Sequence, residues 1–427
     1  MFKTLANALK LKDIRSRLIF TFLMLVVFRL GHALPVPFVN PDVVSAIYNN
    51  SEGTILQMLN LITGGGLQSL SVFALGVGPY ITASIVIQLL TFAIPALENI
   101  SKEGEEGRKK IQKITKYTGL ILAIIQAYAF GIGIFNAALA TGSAFAKFVV
   151  VLTLVAGAMF IVWVGELITE KGIGNGVSMI IFFGIIARIP DTLINWVRAA
   201  MAGQMAWWKI ALIILIILFT LVFVVILSLG ERKIPVQYAK RVVGRKMYGG
   251  QATHIPVKVN MSGVMPVIFA SSLLALPQTL ILLFGSSSGV GKFITKYFAM
   301  NGTVGSILYI ALQVLLIIAF AYFYNSIQFN PIEYSKNLQQ YGGFIPGIRP
   351  GRPTSEYLQR IVSRITLIGA LGLAVLAVIP TIVSRFMSVS LMLGGTSVII
   401  AVGVILETIK QMEAMMQMRH YKGFLNK

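Results

Sequence analysis

KIALIILIILFTLVFVVILSL, residues 209–229, carries no charge from Ile210 to Leu229 and gives way at once to GERKIPVQYAKRVVGRK, residues 230–246. At 1.5 Å per residue the apolar run is about 30 Å long as a helix, the thickness of a bilayer's hydrocarbon core. A helix apolar on every face belongs in lipid, and the Lys and Arg behind it mark its cytoplasmic end. Further apolar windows fall near 18–36, 71–94, 117–138, 147–168, 176–190, 261–284, 305–327, 365–384 and 393–412. The expected fold class is an all-α polytopic membrane protein with ten transmembrane helices. The composition agrees: of 427 residues 56% are hydrophobic and only 12% charged, where a soluble domain is about a quarter charged.

Charge orients the bundle. The chain has 36 Lys and Arg against 15 Asp and Glu, a formal charge of +21, and most of the basic residues fall in alternate connections. Those are the N-terminal segment, the second, fourth, sixth and eighth connections, and the tail. Lys and Arg are retained on the cytoplasmic side, so both termini are expected there. MFKTLANALKLKDIRSR, residues 1–17, reads as a retained amphipathic segment with no cleavage site after it. Ten spans divide into residues 18–190 and 191–412, five and five, with a tail at 413–427. An odd number per half inverts the second half relative to the first.

This register leaves TILQMLNLITGGGLQSL, residues 54–70, on the outer side. Ile55, Met58, Leu59 and Ile62 form a one-sided stripe that Gly64, Gly65 and Gly66 interrupt. Two readings fit it: a re-entrant segment, or a short helix lying on the membrane surface.

Chemistry is sparse. Without cysteine there are no disulfides, thiol nucleophiles or thiolate metal sites, and His32, His254 and His420 are too scattered to bind a metal together. HExxH does not occur, and no paired intramembrane aspartates do. No cofactor is expected. Arg29 reads as snorkelling from the outer half of the first span, and Glu166 and Glu407 as solvated near cytoplasmic ends. Gly172, Gly174 and Gly176 lack the preceding strand of a phosphate loop, so they read as packing at a helix start. The long cytoplasmic connections, 230–260 and 328–364, stand out. The first alternates like a hairpin. The second opens a short helix at Asn330-Pro331, ends it at Gly342, and follows with FIPGIRPGRP, a stiff turn displaying Arg349 and Arg352. Their charge suits an acidic or nucleic-acid partner, or reflects retention of basic loops alone.

Several segments in order along the chain resemble the bacterial SecY subunit of the preprotein translocase. They are ILQMLNLITGGG (55–66), FALGVGPYITASIVIQLL (73–90), GELITEKGIGNG (165–176), QATHIPVKVN (251–260), FIPGIRPG (344–351) and GGTS (394–397). The resemblance implies a protein-conducting channel that passes unfolded preproteins and releases membrane segments sideways. It implies two inverted five-helix halves around a narrow pore, with residues 55–66 as a re-entrant plug helix. The pore ring would be Val77, Ile81, Val177, Ile181, Ile268 and Ile400. A lateral gate would involve Thr82, Gln88 and Asn260. A motor or ribosome would dock on Lys240, Arg241, Arg245, Lys246, Arg349 and Arg352. SecE and SecG would be membrane partners, SecA and the ribosome cytoplasmic ones, and signal peptides and preproteins the substrates. The setting would be the bilayer of the bacterial cytoplasmic membrane.

Gln88 lies two helical turns inward of Ile81, about 10 Å, and Asn260 lies about 12 Å inward of Ile268, so the two amides are expected to meet across the gate. The competing class, a secondary transporter, would need a polar site at mid-membrane, and an acyl or glycosyl transferase would need catalytic carboxylates or histidines. The spans offer little of either.

Overall fold

The computed structural model describes residues 11–49, 63–140, 142–238, 241–243, 246–248, 252–284, 288–298, 303–387 and 395–425. In chain order the helices are α1 (Lys12–Ala33), α2 (Pro41–Asn49), α3 (Gly78–Ala93), α4 (Pro95–Lys102), α5 (Glu105–Tyr128), α6 (Ala144–Lys171), α7 (Gly176–Ile186), α8 (Ile189–Met201) and α9 (Trp207–Leu229). After strands β1 (Glu231–Tyr238), β2 (Arg241–Val243), β3 (Lys246–Tyr248) and β4 (Ala252–Lys258) come α10 (Met265–Phe284), α11 (Gly289–Phe298), α12 (Thr303–Gln328), α13 (Pro331–Gln340), β5 (Gly343–Phe344), α14 (Arg352–Met387) and α15 (Gly395–Leu425).

A helix occupies every one of the ten apolar windows. Among the described residues six helical spans are long and apolar enough to cross a bilayer, and a seventh if α3 and α4, bent by 100°, count as one. Their exposed faces carry Leu215, Phe219 and Ile368, as lipid-facing surfaces should. One set, α1, α3, α5, α6 and α7, packs together, and so does a second, α9, α10, α12, α14 and α15. The sets meet where α3 and the end of α5 touch α10, and again where α7 touches α15.

Three windows depart from simple spans. Helix α3 begins only at Gly78, so residues 71–77 of the second window are irregular. That stretch is hydrogen-bonded rather than bare: Val36 N donates to Leu70 O, Val72 N to Leu34 O and Ser71 N to Gly66 O. Leu67, Leu70, Ser71 and Ala74 are fully buried. Non-helical backbone survives at membrane depth where protein satisfies it in this way. The third span loosens at its C-terminal end into a π-helix, Ala129–Ile134, and a 3₁₀ turn, Phe135–Ala138. The fifth runs past its expected end, turning at Ala187 and Arg188 and continuing as α8 with Pro190 in its first turn.

The two long connections, 230–260 and 328–364, fold as expected and are joined as well. β1 and β4 pair antiparallel from Glu231↔Lys258 to Gln237↔Ala252, and β2 pairs with β3. In the eighth connection Asn330 Oδ1 caps α13, accepting from Ile332 N at 3.2 Å, and Gly342 follows its end at φ +68°. β5 then pairs with β1, so one sheet of order β4-β1-β5 spans both connections. Ile234, Val236 and Val257 of this sheet are buried with Leu338, Ile345, Leu358 and Ile361.

Candidate functional site

The two helix sets meet around aliphatic side chains. Val77 caps the start of α3 and Ile81 lies one turn on; Val177 and Ile181 are one turn apart on α7; Ile268 is on α10 and Ile400 on α15. The structure brings all six into one apolar cluster that draws on both sets. Five are at least nine-tenths buried, and Val177 is partly buried against them. Spacing of i and i+4 places two residues of a helix on one face, which is how four elements supply six converging side chains.

The glycine run sets how closely α7 approaches its neighbours. A Cβ on Gly176 would collide with the carbonyl of Gly165 on α6. Gly176 N instead donates to Thr169 Oγ1 at 2.9 Å, and Asn175 Oδ1 caps the helix by accepting from Ser178 N. Gly174 N donates to Gln411 Oε1 of α15 at 2.6 Å. The run therefore is a helix-start packing device, as its sequence context indicates, and through Gly174 and Gln411 it ties the two sets together.

The expected Gln88–Asn260 contact is absent. Gln88 Oε1 accepts from the Tyr324 hydroxyl of α12 at 2.7 Å. Asn260 is buried, but its Oδ1 accepts from Ser262 Oγ at 3.5 Å. Helical rise does not apply to Asn260, which precedes the start of α10 at Met265, with Gly263 at φ +64° between them. Phe92 and Phe323 reinforce the α3–α12 contact, with ring centroids 4.9 Å apart. Thr82 is buried and lines a small cleft with Thr63, Gln126 and Ser272. Sequence reasoning missed Tyr324, although a hydroxyl and an amide side by side, Tyr324-Asn325, in a mostly apolar span were the signal. Asn325 bonds Thr366 of α14.

Of the remaining site residues, Ile55, Met58, Leu59 and Ile62 lie outside the described residues, while Gly64, Gly65 and Gly66 are described. Gly64 and Gly65 adopt φ of +72° and +102°, values that side chains resist. Lys240 and Arg245 also lie outside the described residues. Arg241 and Lys246 sit on the β2–β3 hairpin. Arg349 is exposed on the turn after β5, its carbonyl held by Thr354 Oγ1 at 2.8 Å. Arg352 starts α14 and pairs with Glu356 at 3.0 Å. Glu166 is engaged by Lys116 at 2.8 Å. No group of three His, Asp or Glu able to hold a metal occurs among the described residues.

The sequence model of the SecY family matches residues 71–409. The protein translocase subunit SecY of Thermotoga maritima is 42% identical, the alignment covering 100% of this chain and 98% of that protein. That of Halalkalibacterium halodurans is 44% identical, with 100% of each covered. Among solved structures, one of SecY whose plug domain stabilises the closed state of the translocation channel and maintains a membrane seal superposes with a TM-score of 0.68 at 19% identity, covering 94% of this chain and 92% of that one. Sec61 in the canine ribosome–channel complex superposes at 0.64 with 18% identity, again covering 94% and 92%.

Proposed function

The chain belongs to the SecY family of protein translocase subunits, and from that premise we propose that it is a protein-conducting channel for unfolded preproteins. The observation that carries the reading is the aliphatic cluster of Val77, Ile81, Val177, Ile181, Ile268 and Ile400, where the two helix sets meet. An apolar constriction passes any sequence without binding it, and at rest it excludes water and with water the ions. A solute transporter would need polar ligands at that depth, and the side chains gathered there are aliphatic.

No residue of this chain performs chemistry in the scheme, so the driving force comes from a partner. A ribosome or the SecA motor docks on the basic β2–β3 hairpin and the Arg349 turn, while SecE and SecG lie against the membrane-spanning surface. Signal peptides and membrane segments leave sideways into the bilayer between α3 on one side and α10 and α12 on the other. The plug is the stretch 55–66. The membrane is the bacterial cytoplasmic one, with both termini on the cytoplasmic side.

Proteoliposomes holding the chain with its small membrane partners test the function. Motor-driven protection of a preprotein from external protease, without accelerated uptake of small solutes, is the expected result. Solute uptake without polypeptide passage would overturn it. Orientation is tested by labelling single cysteines, since the chain has none of its own. Residues near 105, 245 and 345 should react from the cytoplasmic face, and those near 50 and 295 from outside.

A further inference from the structure

Contacts from three directions converge on the irregular segment 63–68. His32, at the end of α1, places Nε2 2.7 Å from the Thr63 carbonyl oxygen. A carbonyl only accepts, so Nε2 carries a proton and donates it to Thr63. Nδ1 is buried without a hydrogen-bond partner. Phe28 and Phe73 flank the ring, with centroids at 4.5 and 5.9 Å.

Next to it, Gly64 lies against Gly184 of α7 so closely that a Cβ on either would stand 3.0 Å from the other's Cα. The Arg188 guanidinium covers Gly65, where a Cβ would meet Nε at 2.9 Å. Arg188 Nη2 then donates to Gln68 Oε1 at 2.9 Å. On the inner side Gly76, at φ +56°, backs onto Thr63, a Cβ there standing 3.1 Å from the Thr63 Cα. Gly76 directly precedes Val77.

We propose that His32, Gly184 and Arg188 are positioning residues that form a clasp around residues 63–68, setting the resting place of Val77 and hence the closed constriction. The inference rests on reading the aliphatic cluster as that constriction. None of the three residues belongs to the cluster. They act through the segment they hold. The clasp consists of two hydrogen bonds and a backbone contact between glycines rather than interlocked aliphatic side chains, so it can part and re-form at small cost while the helices around it stay packed. The Arg188–Gln68 bond is exposed on the outer side, where water competes for it and eases release.

The test is resting ion conductance of the complex in planar bilayers, with Ile81→Asn as a control for the constriction. Gly184→Val and Arg188→Ala should each raise resting conductance about tenfold, the population shift expected when contacts made only in the closed state are lost. Arg188→Lys, which keeps the charge and loses the planar fork, should fall between Arg188→Ala and the unaltered chain. Gln68 is exposed and tolerant, so it serves even if the others fold poorly. Gln68→Ala should leak. Gln68→Glu, by strengthening the bond to the guanidinium, should lower spontaneous opening below that of the unaltered chain and slow preprotein passage. Opposite signs at one exposed position are not produced by a general loss of stability. If Ile81→Asn leaks while the Gln68 pair and Arg188→Ala conduct normally, the clasp is wrong. If Ile81→Asn also stays sealed, the constriction reading fails and takes the clasp with it.

Discussion

The hydroxyl of Tyr324 on α12 donates a 2.7 Å hydrogen bond to Gln88 Oε1 on α3, joining the two helix sets across 236 residues of sequence. Hydrogen bonds between helices in lipid average about 0.6 kcal/mol, enough to bias a gate and too little to lock it. Tyr324→Phe and Gln88→Leu should each raise lateral opening about threefold, read as transport of a preprotein with a weakened signal peptide. The double variant should equal either single one, because both remove the same bond. Additive effects would mean that the two residues act separately.

Ile81→Asn and Ile268→Asn place an amide in the aliphatic cluster. A polar side chain there favours water by about 1.4 kcal/mol or more, so resting ion conductance should rise by roughly tenfold. Unchanged conductance in both variants would remove these residues from the constriction.

Arg349 makes no ion pair among the described residues, whereas Arg352 is engaged by Glu356. Arg349→Glu should lower motor-driven export several-fold, more so at low ionic strength, because it reverses a charge at the rim of the proposed docking surface. Thermal unfolding should be unaffected. Export that is equally insensitive to the substitution at low and high salt would place docking elsewhere.

Gly176→Val forces a side chain into the carbonyl of Gly165. Overpacking of this kind costs about 1–3 kcal/mol. A clear fall in unfolding temperature in detergent is expected, and Gly289→Val, where nothing lies within 4 Å of the added carbon, should leave it unchanged.

The helical windows were legible because lipid imposes the hydrophobic pattern directly: a run such as 210–229 has one reading. What escaped were features that depend on distant backbone. Residues 71–77 are as apolar as a span but are held open by bonds to residues 34–36, and no local pattern reports that pairing. Asn260 lies before α10 begins at Met265, beyond the turn at Gly263, and nothing in the apolar pattern marks that start. The aliphatic residues at 77, 81, 177, 181, 268 and 400 were found through family likeness rather than through their chemistry, since an aliphatic side chain facing a constriction looks like one facing a core. Each long connection has a local pattern of its own, and the Gln237↔Phe344 and Tyr238↔Gly343 pairs that unite them have no mark in the sequence.

That union has a mechanical meaning. Strand β1 continues from α9, β4 leads to α10, and β5 lies between α13 and α14. A ladder of backbone bonds transmits displacement along its whole width, so neither loop can be pushed alone. A displacement of the Arg349 turn passes through β5 to the strands anchored to α9 and α10, and the sheet works as a single lever arm with its fulcrum among the helix ends.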